Sequence, residues 1–415
     1  MKTEYFINNP EDAAELILSG ELVAVPTETV YGLAGNGLDA EAVEKIYEVK
    51  GRPAVKPLSL MVHDADDMEK YCVDVPENAK FLAEKYWPGP LTIVMKAKDI
   101  VPEIVRAGGS TVGLRCPLNE KTLSLIKKCG VPFAAPSANP SGEPSPKSAE
   151  EVGRYFDGKI GGIIDDGRCE LGLESTLIDM STVPYRILRE AAVKESEIRE
   201  VLASGITVFG LTGPSGAGKT TALDALKELG ALILDCDEIY HSLLNSSEEL
   251  KEEIRSFFPE AVKDNAVNTK TLGKIVYGKN DLLNILNQIT HKYVLSEIEE
   301  KLKAFAFRGG KTAVIDAPLL IESGFNKKCD FVIGVLSDRE TRLERIMVRD
   351  GISVSYAEQR LDSQPKDEYY IKHCDKIIYN NGEVAVFKEQ VKSIYTEVLN
   401  GRNKRQSVLC AEERL

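Results

Sequence analysis

The chain has 415 residues, of which 43% are hydrophobic and 28% charged, and its formal net charge is −13. This length exceeds what one hydrophobic core organises, so two domains are expected, and the acidic total excludes a surface built for broad contact with a phosphate backbone. The first twenty residues carry Glu4, Glu11, Asp12 and Glu15, no window approaches the ~18 apolar residues of a membrane span, and the eight cysteines show no C-x-x-C spacing, so a cytoplasmic protein with reduced thiols is expected.

In chain order, the spacing of apolar residues predicts a helix from Pro10 to Ser19, a strand from Leu22 to Pro26 and a helix around Glu41 to Val49. Strands follow at Leu91 to Met95, Thr111 to Arg115 and Phe133 to Ala135, then near Ile163 and Leu177, before a charged helix from Glu195 to Leu202. Ala203-Ser204-Gly205 is the expected joint, giving domains 1–204 and 205–400 with a polar tail at 401–415. Past the joint, ITVFGLTG opens a second series of buried strands, continued by Ala231 to Asp235, Thr312 to Ala317 and Asp330 to Leu336. Helix-length segments separate them, which implies a parallel, doubly wound sheet.

In the first half, PTETVYGL (Pro26 to Leu33) leaves a strand end, and KGRPAVKP (Lys50 to Pro57) follows the next helix. Three cations on a loop braced by glycine and proline make either a triphosphate site or an exposed basic loop. The segment PSANPSGEPSP (Pro136 to Pro146) has the composition of a linker. A strand feeds it, however, and a helix with Ser148 as a cap leaves it, so it reads as a rigid ligand loop.

Together with WPGPLTIV, VGLRCP, GLESTLID and YRILRE, these blocks run in order from about Asp12 to Glu190 and resemble the YrdC-like threonylcarbamoyl-AMP synthases, whose signature pairs K-x-R with S-x-N. The resemblance implies an α/β domain with a twisted mixed sheet that makes threonylcarbamoyl-AMP and pyrophosphate from L-threonine, bicarbonate and ATP, for modification of adenosine 37 in tRNA. It implies that Thr29, Arg115 and Ser175 contact threonine, and that Lys50, Arg52, Lys56, Ser137, Asn139, Ser145 and Arg189 bind the nucleotide. A carbamate attacking the α-phosphate asks the protein for orientation and positive charge rather than for a nucleophile. Met61 stands where some relatives have His, His63 lies two residues on, and the ILRPG ending of the family is ILREA here.

In the second half, Gly213-Pro-Ser-Gly216-Ala-Gly218-Lys219-Thr220 matches G-x-x-x-x-G-K-[ST] in full, between a buried strand and a helix-forming TALDALKEL. Such glycines let backbone N–H groups wrap phosphates, the Lys reaches the β/γ oxygens, and the Thr hydroxyl ligates Mg²⁺. Asn326-Lys327-Lys328-Cys329 puts Asp330 one residue too late for a guanine-binding N-K-x-D, so a GTPase is unsupported. Asp235 and Asp237 leave a strand end, where they meet an acceptor hydroxyl or metal shell, or cap the following helix. Asp316 closes an apolar run as a metal-organising acid does. Arg342, Arg345 and Arg349 share a helical face that is either a lid over phosphate or a solvated stripe.

The succession GLTGPSGAGKTT, LDCDEIYH, TLGKIVYG, ITHKYV, VIDAPLLIE, RLERIMVRDG, AEQRLDSQ and IIYNNG, across nearly all of 206–400, resembles dephospho-CoA kinase. The resemblance implies a P-loop NTPase-type parallel sheet with a helical insert (Ile239 to about Phe307) and a lid. Its reaction is transfer of phosphate from Mg-ATP to the 3′-hydroxyl of dephospho-CoA. It implies Asp237, Lys219 and Arg345 as catalytic residues, with Asp237 the base, and Asp235 and His291 at the acceptor. Gly213, Gly216, Gly218, Lys219, Thr220, Thr221 and Arg349 would hold ATP, Thr220 would hold the metal, and Arg360 would join the phosphate region. His241 and Lys292 stand where the family has Arg and Pro.

The expected partners are therefore ATP, L-threonine, bicarbonate, dephospho-CoA and proteins that transfer threonylcarbamoyl to tRNA, with Mg²⁺ accompanying ATP. No tightly bound organic cofactor, membrane or broad nucleic-acid surface is expected. The competing reading keeps a P-loop small-molecule kinase of other acceptor and makes the first half a non-catalytic nucleotide- or RNA-binding module.

Overall fold

The computed structural model describes residues 3–6, 10–317 and 319–412. The chain divides into two units, Met1–Gly205 with Phe307–Gly309, and Ile206–Ala306 with Gly310–Leu415.

The first unit is built on a mixed sheet of ten strands: β1 (Glu4–Phe6), β2 (Val23–Val25), β3 (Gly32–Asn36), β4 (Ser59–Met61), β5 (Leu91–Lys96), β6 (Thr111–Arg115), β7 (Phe133–Ala134), β8 (Gly162–Ile164), β9 (Thr176–Asp179) and β10 (Arg186–Arg189). Their order across the sheet is β1-β8-β2-β3-β7-β4-β6-β5-β9-β10. The β2, β7 and β8 positions are buried on both faces, so these strands read as continuous apolar runs rather than alternating ones. Helix Pro10–Leu18 and helix Glu120–Cys129 cover one region of the sheet, where Ala13, Ile17, Leu125 and Phe133 are closed from solvent. Each fully buried aliphatic or aromatic side chain there contributes about 1.5–3 kcal/mol.

Local signals set the loops that matter. Asp39 accepts from the amides of Glu41 and Ala42 to start helix Ala40–Lys50, and Gly51 ends it at φ 60°, turning the chain into the basic loop. Ser148 caps helix Ala149–Phe156 through the Glu151 amide, as the sequence indicates. β6 ends on Arg115 and β9 starts one residue after Ser175; with β5 between them, antiparallel to β6 and parallel to β9, both residues come to the same edge of the sheet.

The second unit has a five-stranded parallel sheet of β11 (Thr207–Thr212), β12 (Leu232–Asp235), β15 (Thr312–Asp316), β16 (Phe331–Leu336) and β17 (Lys376–Tyr379), in the order β12-β15-β11-β16-β17. β13 (Val262–Lys263) and β14 (Ala266–Val267) form a separate hairpin inside the insert. The chain order reverses direction beside β11, and its carboxyl end is where open α/β sheets bind ligands. Helix Lys219–Glu228 and the start of helix Val384–Glu412 pack on Phe209, Leu211 and Val314. Helices Cys236–Ser246, Glu248–Phe257, Thr269–Val276 and Asn280–Ala306 form the helical insert, with its own core around Leu250, Ile254 and Leu272. Helices Arg339–Asp350 and Val354–Asp362 close on Ile346, Ala357 and Leu361 as a small lid-like pair.

The tail expected from Gly401 lies partly outside the described residues: the backbone is helical through Glu412, and 413–415 are not described. Among the described residues, no helix is long and apolar enough to cross a membrane.

Candidate functional site

Each unit carries its own pocket. In the first, a cavity of about 200 Å³ is lined by Thr29, Arg52, Arg115, Ser137, Ser175 and Arg189, together with Ser59, Met61, Thr92 and Glu174. Arg115 is 6% exposed, and its Nη2 donates to Glu28 Oε1 at 2.7 Å and Thr29 Oγ1 at 2.8 Å, while Nε donates to the Gly89 carbonyl at 3.2 Å. Glu28 Oε2 also accepts from the Leu118 amide at 2.9 Å, so the buried charge pair has further partners and the guanidinium is fixed at the pocket wall. Thr29 is itself held by Thr27 Oγ1 at 2.8 Å, and Ser175 Oγ shares a 2.8 Å bond with Thr92 Oγ1.

The basic loop and the Ser-x-Asn loop are tied together by Lys50. Its ammonium donates to the carbonyls of Ser137 and Asn139, and the Lys50 carbonyl accepts from the Ser141 amide at 2.8 Å. Burial and, after it, nearby Arg52 push the Lys50 amine down to about 8, with the Glu174 carboxylate opposing both. Asn139 braces the same loop by donating to the carbonyls of Pro140 at 2.9 Å and Glu143 at 2.7 Å. Arg52 donates to the Lys56 and Pro57 carbonyls at 3.3 and 3.0 Å, which curls the loop, and burial lowers its pKa. Lys56 is exposed and does not line the cavity, and Ser145 donates to Glu174 at 3.3 Å. Arg189 pairs with Glu174 and donates to the Ser175 carbonyl at 3.0 Å.

In the second unit, Gly213, Gly216 and Gly218 take φ values of 145°, 77° and 103°, which wrap the loop into helix Lys219–Glu228. A Cβ on Gly213 would lie 2.2 Å from the Val335 carbonyl oxygen, so the loop needs glycine for space as well as for conformation. Lys219 Nζ donates to the Gly213 carbonyl at 2.7 Å; burial lowers its pKa, with the Asp316 carboxylate opposing. Thr220 and Thr221 begin the helix, Thr220 exposed. β12 and β15 run in register so that Asp235 lies beside Asp316, and Asp235 Oδ1 caps the next helix through the amides of Asp237 and Glu238 at 2.9 and 3.0 Å. Burial, then Asp235, raises the Asp237 pKa; burial raises that of Asp316, with Asp235 and Asp237 adding to it.

Asp237 also lines a cleft of about 570 Å³ walled by Tyr240, Asn287, His291, Val294 and Phe325. The His291 ring lies 5.0 Å from Phe325, and burial lowers its pKa. A wide cleft ending on a carboxylate beside a phosphate cradle can align an acceptor hydroxyl with a nucleotide. Among the described residues no group of three or more His, Cys, Asp or Glu side chains is arranged to hold a metal.

The family model Sua5_yciO_yrdC, described as telomere recombination, matches residues 15–191. The model CoaE, described as dephospho-CoA kinase, matches residues 207–385. The threonylcarbamoyl-AMP synthase of Pyrococcus abyssi is 46% identical over 190 residues, 46% of this chain and 56% of that one. The putative threonylcarbamoyl-AMP synthase of Methanocaldococcus jannaschii is 36% identical over 179 residues, 43% of this chain and 83% of its own. The dephospho-CoA kinase of Carboxydothermus hydrogenoformans is 34% identical over 191 residues, 46% of this chain and 93% of its own. The chain belongs to both families. It spans 52% to 58% of the length of three of the synthase relatives.

In the dephospho-CoA kinase unit, Arg345 meets the back of the P-loop: its Nη1 donates to the carbonyls of Gly216 at 3.2 Å and Ala217 at 3.5 Å, and its Nη2 to Asn380 at 3.1 Å. Arg349 and Arg360 both pair with Asp350, at 2.7 and 2.6 Å. Two supports were not singled out from the sequence. Asn380 Nδ2 donates to the Ala217 carbonyl at 2.9 Å, while Gln364 Oε1 accepts from the Ser215 amide at 3.0 Å and its Nε2 donates to the Ser215 hydroxyl at 2.7 Å. In the Sua5_yciO_yrdC unit, Glu28, Thr92 and Glu174 were not singled out as site residues, although they lie in the stretches PTETVYGL, WPGPLTIV and GLESTLID. Met61 lines the pocket, whereas His63 lies 3.6 Å from Asp64 and lines none of it.

Proposed function

We propose that the chain is a bifunctional enzyme. The first unit forms threonylcarbamoyl-AMP and pyrophosphate from L-threonine, bicarbonate and ATP, for tRNA threonylcarbamoyl transfer by downstream proteins. The second moves the γ-phosphoryl group of Mg-ATP to the 3′-hydroxyl of dephospho-CoA. The observation that carries this reading is that each unit has its own pocket with its own phosphate-binding chemistry: a basic and hydroxyl-lined cavity in one, a P-loop opening on Asp237 and a large cleft in the other.

In the first pocket Arg115, Thr29 and Ser175 hold threonine, whose carbamate attacks the α-phosphorus and expels pyrophosphate. Arg52, Ser137 and Arg189 meet the nucleotide, and Lys50 and Asn139 set the loop that presents Ser137. In the second, Lys219 and the loop amides neutralise charge at the transferring phosphoryl group, Thr220 holds the metal that arrives with ATP, and Asp237 accepts the acceptor's proton. His291 borders the acceptor, Asp235 does not line that cleft but caps the helix that carries Asp237, and Arg345 keeps the P-loop in shape.

The test supplies the purified chain with ATP and Mg²⁺. Pyrophosphate release should require threonine and bicarbonate, and ADP release should require dephospho-CoA. Pyrophosphate release indifferent to threonine would overturn the first assignment, and phosphorylation of other acceptors in preference to dephospho-CoA would overturn the second.

A further inference from the structure

One carboxylate stands among the cations of the first pocket. Glu174 pairs with Arg189, accepts from Ser145 Oγ at 3.3 Å, and its field helps keep Lys50 and Arg52 charged against their burial. Four of the residues read as nucleotide ligands therefore face the same acid. An acid at that place would be expected to oppose an anionic substrate, yet it lines the cavity itself.

Glu174 also sits where movement is cheap. It belongs to an irregular stretch before β9, without a ladder bond of its own, and its side chain is 37% exposed. Without a counter-charge, Lys50 and Arg52 would be left repelling one another, since like charges at a partly buried site are poorly screened.

We propose that Glu174 is an internal stand-in for nucleotide phosphate: it holds the cationic site assembled while the pocket is empty, and the phosphates of ATP displace it. The inference rests on the reading of this pocket as an ATP site. It makes Glu174 a positioning residue that weakens phosphate binding by competing for the same cations. The same competition returns the carboxylate to Arg189 when pyrophosphate leaves. A carboxylate that instead gripped ATP through its metal would have the opposite effect on affinity.

The test uses the full chain and its Glu174→Gln and Glu174→Ala variants, with threonine-dependent pyrophosphate release as the readout, so that ATP bound at the P-loop does not contribute. Both variants should lower the KM for ATP by about fivefold, the scale of one partly exposed ion pair. They should lower the inhibition constant for added pyrophosphate similarly and leave the KM for threonine unchanged. Raising the salt should shrink the difference. A KM for ATP that is unchanged or raised in both variants, with melting temperatures like the parent, would overturn the proposal. Absence of threonine-dependent release in the parent would instead overturn the ATP reading and the inference with it.

Discussion

Lys50 is 3% exposed, and burial, which disfavours the charged form, holds its amine down to about 8, well below the usual lysine range. An anionic nucleotide prefers the protonated amine, so ATP binding takes up a proton at pH values above about 8. The KM for ATP in threonine-dependent pyrophosphate release should therefore rise with pH through about 8, by as much as about tenfold per unit. A flat profile from mildly acid to alkaline pH would remove Lys50 from the binding charge. Asp237 shifts in the other sense, its carboxyl held above the usual range by burial and by Asp235. In the proposed role of base at the acceptor hydroxyl, Asp237→Asn should cost about 10²–10⁴ in the rate of dephospho-CoA phosphorylation, with ATP binding little changed. Near-normal turnover would assign it positioning alone.

At the scale of elements, the P-loop shows glycine acting through conformation and space together. A Cβ on Gly218 would lie 2.0 Å from Asn380 Nδ2, at φ 103°. Gly218→Ala should therefore abolish kinase activity and lower the stability of the second unit by about 1–3 kcal/mol. Gly273, exposed in helix Thr269–Val276 with no atom within 4 Å of its would-be Cβ, is the control: Gly273→Ala should raise stability by about 0.5–1 kcal/mol. Denaturant melts of the two variants compare them directly.

The elements also show what the sequence made legible. Thr111–Arg115 and Leu91–Lys96 carry enough apolar residues to be read as strands, and the helix after Ser148 is marked by its cap. β3, with the sequence GLAGN, has almost no β-forming side chains, and tertiary packing selects it: a Cβ on Gly35 would lie 2.9 Å from Leu22. β10 is mostly exposed and so lacks an apolar pattern. In the sites, residues inside dense motifs were legible because their types carry the chemistry. Glu28, Asn380 and Gln364 lie in such stretches too, but their side chains carry no phosphate chemistry of their own, and only the fold shows the partner that each holds, at least 87 residues away in sequence.

For the whole molecule, a net charge of −13 coexists with two phosphate-directed pockets, so local placement of Lys and Arg decides binding and bulk charge does not. The central claim is that one chain carries two separate ATP-using sites. It is tested most directly by assaying both activities in Lys219→Ala and in Arg52→Ala, each confirmed folded by its melting curve. Lys219→Ala should lose dephospho-CoA phosphorylation and keep threonine-dependent pyrophosphate release. Arg52→Ala should weaken that release by about 1–3 kcal/mol in kcat/KM for ATP and keep the phosphorylation. Loss of both activities in either folded variant would contradict the account.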